Sequence, residues 1–133
     1  TDTRGPFGEG AEKNGNSIFL FEAAGLCIAH LGHLHQVPNA VQRGSIGRVD
    51  VLMLPIDGGY TMAQDDMVQV VHDLHPRIIL PMHWFTEGAK AEFLARLAKD
   101  YDLIDAHAPD IEVSLDNLPE RPTVVVLTPE LIP

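Results

Sequence analysis

From Ser17 onward the chain alternates short apolar runs with longer stretches in which apolar residues recur every three or four positions. "SIFLFE" and "LCIAHL", separated by small residues around Gly25, form a hairpin pattern. "QVPNAVQRGSIGR" is polar and predicts a connection with about one helical turn. "VDVLMLPI" is a continuous apolar run, as in a strand buried on both faces, and "DGGY" stops it. Met67, Val70, Val71 and Leu74 then recur at helical spacing, with Thr61 as the expected N-cap, Asp65 and Asp66 early in the element, and Pro76 closing it. "RIILPM" is a second buried strand. "TEGAKAEFLARLAKDY" predicts an amphipathic helix with Phe93, Leu94 and Leu97 inward. Three β-type pieces, "DLIDA", "IEVSL" and "TVVVLTP", complete the pattern. Strands alternating with helices imply a layered α/β domain with helices packed on a sheet.

Residues 1–16 lack this periodicity and hold four of the eleven glycines, so they read as a flexible glycine-rich loop ahead of a domain at 17–133. The opening "TDTRGPFGEGAEKNGN" has the character of a mid-chain loop, which leads to the expectation that an N-terminal portion is missing.

Composition narrows the function classes. The 133 residues suffice for one domain, and 45% hydrophobic against 21% charged content is that of a folded protein. A net charge of −10 with scattered acidic residues argues against nucleic-acid binding and against a polybasic membrane anchor. No apolar run is long enough to span a bilayer. Cys27 is the single cysteine and sits in an apolar run, where it reads as a small buried hydrophobe in a reducing, cytoplasmic setting.

Candidate chemistry gathers where strands give way to loops, the usual place for reactive groups in α/β proteins. "HLGHLHQ" follows the second hairpin strand, "PIDGGYT" the first buried strand, and "PMHWF" the next. If these strands are neighbours, His33, His35, Asp57 and His83 converge at one sheet edge. Imidazoles with a carboxylate suit zinc, manganese or iron. Each has a plainer reading. His30 fits a hydrogen-bonded structural role, and His35 can simply face solvent. Asp57 can cap the Gly58-Gly59 turn, or orient a histidine from behind. His72 and His75 suit a helix C-terminus, His107 an exposed turn, and Trp84 a wall of the site.

The stretches "NSIFLFEAAGLCIAHLGHLHQ", "RVDVLMLPIDGGYTM" and "HPRIILPMHWF", in this order, resemble the C-terminal half of the metallo-β-lactamase superfamily, in its branch of ascorbate-phosphate lactonase-like hydrolases. The likeness runs from about Asn16 to Pro129. It implies an α/β fold that is half of an αββα sandwich, a mixed sheet with helices on one face. It also implies a divalent-metal hydrolase, with zinc the first expectation, acting on a small-molecule ester, lactone or phosphoester. His83 falls on the family's final metal histidine in Pro-Met-His, and His33 on the position of its bridging Asp. His35, Asp57 and His30 become second-shell or substrate-side candidates. Gln36 stands where the family's first junction ends in His, and the family's N-terminal His-x-His-x-Asp-His motif does not occur in these residues. The fragment alone is therefore expected to be inactive, and to associate with itself or with the missing half. The competing reading is a non-catalytic α/β interaction module with structural histidines.

Overall fold

The computed structural model describes residues 1–4 and 11–130, and the glycine-rich segment 5–10 assigned above to a flexible loop lies outside the described residues. Its flanks pair as a two-residue antiparallel ladder, β1 (Thr3–Arg4) with β2 (Ala11–Glu12).

The hairpin is β3 (Phe19–Ala23) against β4 (Leu26–His30). Its two-residue turn, Ala24-Gly25, has positive φ at both positions (50° and 80°), the conformation whose twist matches that of the strands it joins. Glycine suits the φ of 80° at Gly25, and a Cβ there would come within 2.7 Å of the end of the Leu115 side chain, which would have to shift.

Helix α1 (Ala40–Ile46) is longer than the single turn expected. A capping box explains it: Asn39 accepts from the Gln42 N–H, and Gln42 returns the bond to the Asn39 N–H, both at 2.9 Å. β5 (Val51–Pro55), α2 (Gln64–Leu74), β6 (Ile78–Met82) and α3 (Glu87–Leu97) follow the predicted pattern. Thr61 is not the N-cap of α2: Ala63 is, without a side-chain bond, because the Thr61 hydroxyl is engaged by Asp57. His75 ends α2 in the left-handed conformation, its N–H on the Val71 carbonyl. β7 (Asp102–Asp105) and β8 (Thr123–Val126) close the sheet. The expected strand "IEVSL" does not form. Ile111 and Val113 turn inward to cover the sheet, and Ser114 and Asn117 cap a 3-10 turn at Leu115–Asn117 instead.

The sheet order is β3-β4-β5-β6-β8-β7, parallel throughout except for β3. One face carries Leu52, Leu54, Ile79 and Val124, fully buried against Met67, Val70 and Val71 of α2 and Phe93 and Leu97 of α3. The helices thus lie on one face, as expected. The other face carries Val51, Ile78, Leu80 and Val125 under the 106–118 segment, while Phe19 and Phe21 at its β3 edge are each 54% exposed. Because β4, β5 and β6 are parallel and in register (His30 opposite Met53, Pro55 opposite Met82), their C-terminal ends share one edge. The three loops that hold the candidate histidines and Asp57 leave the sheet there.

Candidate functional site

Asp57, two residues beyond β5, organises the middle loop. Its Oδ2 accepts from the backbone N–H groups of Gly59, Tyr60 and Thr61 at 3.0, 2.5 and 3.0 Å, and its Oδ1 from the Thr61 hydroxyl at 2.7 Å. Oδ1 also lies 3.0 Å from Nδ1 of His83. Burial pushes this carboxyl's pKa up, but the bonds from the Thr61 hydroxyl, the Gly59 and Thr61 amides and His83 outweigh it and hold the group at about 2. An ionised carboxylate only accepts, so His83 donates through Nδ1–H, which leaves Nε2 as the acceptor nitrogen of the neutral ring.

His83 is the first residue past β6, and its backbone is left-handed (φ 56°). For a residue other than glycine this is a sparsely populated conformation, often found where a site holds a side chain in a set direction. The His33 ring stands edge-on to it, centroids 4.6 Å apart, and Phe85 makes a similar contact on His83 at 4.9 Å. Tyr60 continues this row of rings, 5.3 Å from Phe85. The imidazoles of His33 and His83 therefore meet, from separate strand ends, with Asp57 behind one of them.

His33 is exposed, and its loop is held through backbone. Its N–H donates to Asn16 Oδ1 at 2.7 Å, and its carbonyl accepts from the Thr3 hydroxyl at 3.2 Å. Asn16 Nδ2 also donates to the Leu31 carbonyl and the Thr1 hydroxyl. Gly32 adopts φ 62° pressed against this clamp, where a Cβ would meet Asn16 Oδ1 at 2.5 Å and the Ser17 carbonyl at 2.8 Å. Asn16 is a positioning residue that sequence spacing does not reveal, since it acts across 17 positions on backbone atoms.

The remaining candidates make other contacts. His30 Nδ1 accepts from the Gly32 N–H at 3.1 Å, and its ring stands on the sheet beside Phe19. His35 has a buried Nδ1 with no hydrogen-bond partner among the described residues. His72 stacks on Tyr101, and His107 is exposed beside Asp105. Among the described residues, no group of three or more His, Cys, Asp or Glu side chains is arranged to hold a metal ion. The donor chemistry of His33 and His83 nevertheless suits one: two imidazoles, one braced by a carboxylate through its far nitrogen, are residue types that would hold a divalent ion.

Residues 2–83, well over half the chain, match a family model described as the beta-lactamase superfamily domain. The chain belongs to that family. The match ends at His83 itself. A UPF0173 protein of Pyrococcus abyssi is 38% identical over 61 residues, covering 46% of this chain and 28% of the relative. A UPF0173 metal-dependent hydrolase of Carboxydothermus hydrogenoformans is 33% identical over 82 residues, 60% of this chain and 36% of the relative. The chain thus spans about a third of the length of these curated relatives. A crystal structure from Thermotoga maritima, described as a candidate Zn-dependent hydrolase of the metallo-β-lactamase superfamily, superposes with a TM-score of 0.67 at 31% identity, over 83% of this chain and 58% of that one. The α/β architecture with its mixed sheet is that of the metallo-β-lactamase fold.

Proposed function

We propose that this chain supplies part of the metal centre of a metal-dependent hydrolase, with His33 and His83 as ligands and Asp57 setting the orientation and tautomer of His83. The observation that carries the reading is the meeting of the two rings at 4.6 Å with a carboxylate bonded to Nδ1 of His83. A divalent cation, zinc first and manganese or iron as alternatives, supplies such a site with Lewis acidity and a water of lowered pKa. His83 presents Nε2 outward because Asp57 occupies Nδ1. His33 sits on a loop whose backbone Asn16 clamps, and its ring is exposed, which leaves the ring room to adjust to an ion. The substrate is a small molecule with an ester, lactone or phosphoester bond, and the setting is cytoplasmic. Among the described residues no helix is long and apolar enough to cross a membrane.

The ligands that complete the sphere come from outside the described residues. The sheet face bearing Phe19 and Phe21, each 54% exposed, suits a second copy or a complementary half that brings them. Light scattering on the isolated chain should find self-association, and a monodisperse monomer counts against a second copy. The hydrolase reading is tested by metal analysis and a hydrolysis screen on the complete protein, with His83→Ala as control. Loss of bound metal and of turnover in that variant supports it, and unchanged metal content removes His83 from the site.

A further inference from the structure

Beside His83 opens a cavity of about 380 Å³, within the range of small-molecule sites. Its walls include Met82 and Trp84 from the end of β6, Pro109 from beyond β7, and Leu127 and Pro129 from beyond β8. It therefore lies at the C-terminal edge of the parallel strands, where open α/β sheets receive their ligands. Among the described residues that line it there is no Lys, Arg, Asp or Glu, and His83 is its one titratable group. The Lys90 ammonium, paired with Glu87 at 2.6 Å, is not part of that lining but lies 5.7 Å from the Trp84 ring centroid. The cavity itself offers apolar surface.

We infer that the cavity seats an apolar arm of the substrate, an alkyl or aryl group whose reacting end reaches His83. The inference rests on the hydrolase reading for the bond cleaved and on the cavity for the arm.

Trp84 is the only tryptophan of the chain, so its fluorescence reports occupancy of this cavity without any need for turnover or metal. Titration of the full chain, free of metal, with methyl butyrate, methyl hexanoate and methyl octanoate should tighten about three- to fourfold per methylene buried. Pro129→Asp places a charge at the exposed rim without touching the core, and should weaken methyl octanoate at least about tenfold. Affinity independent of chain length, or an unaffected Pro129→Asp variant, would each overturn the inference. Metal content of His83→Ala is measured separately. Loss of the metal reading with the chain-length series intact, or the reverse, therefore tells the two failures apart.

Discussion

The two imidazoles of the site are held in opposite ways. His83 has its direction set three times over, by a left-handed backbone, by the Asp57 carboxylate on Nδ1 and by the Phe85 ring, and its side chain is only 25% exposed. His33 is held by its peptide alone, through Asn16, Thr3 and the turn at Gly32, while its ring is exposed and touches His83 edge-on. A ligand pair built this way has one rigid member that defines the position and one that can follow. His83 is fixed at its ring as well as at its backbone, and His33 at its peptide alone, so the two respond to different substitutions.

The sharpest break falls on the His33 side. Gly32→Ala forces a Cβ into the Asn16 clamp at a backbone angle alanine dislikes, and should cost about 2–3 kcal/mol, read as a lowered urea midpoint. A midpoint unchanged from wild type would mean that the turn is not held as described. On the His83 side, Asp57→Asn keeps the shape but removes the charged acceptor, and should lower metal affinity of the complete protein about 10- to 100-fold. The same variant changes the acid limb of stability. The Asp57 carboxyl sits at about 2 in the fold against an ordinary 3.8, so the folded state binds its proton later than the unfolded chain does. Its contribution is complete above about pH 4 and is lost as pH falls through about 2. A wild-type curve as flat as the Asn variant's between pH 4 and 2 would contradict this.

A milder contrast comes from Asn16→Ala, which leaves the His33 N–H and the Leu31 carbonyl unpaired for about 1–2 kcal/mol. Imidazole NMR signals of His33 should broaden while those of His83 stay sharp. Equal broadening of both would abolish the distinction between a rigid and a following ligand. The smallest effect is expected from His30→Leu, which removes one acceptor from the Gly32 N–H at about 1 kcal/mol and leaves metal content unchanged. A drop in bound metal there would bring His30 into the centre.

The elements were legible where burial writes a period into the chain. β5 and β6 announce themselves as unbroken apolar runs because both of their faces are covered, and α2 through its Met67-Val70-Val71-Leu74 stripe. "IEVSL" has the same alternation as a strand, yet Ile111 and Val113 earn their burial by covering the sheet rather than joining it. The pattern records which residues are buried and not which hydrogen bonds they make. Thr61 misled for a related reason: a hydroxyl ahead of a helix is an N-cap by position, but Asp57 competes for it from four residues earlier. That His33, Asp57 and His83 share an edge followed from three strands ending in candidate residues. The clamp by Asn16 and the backbone angle of His83 did not, because they arise from contacts between loops that no periodicity encodes.

One feature of the connectivity bears on how the molecule comes into being. The strand between β6 and β7 is β8, the last of the sheet in chain order. During synthesis β7 therefore emerges with no neighbour to pair with, and it joins the contiguous β3-β4-β5-β6 part of the sheet only once Thr123–Val126 insert between β6 and β7. The same late arrival delivers Leu127 and Pro129, so the binding wall and the completed sheet come into existence in a single step.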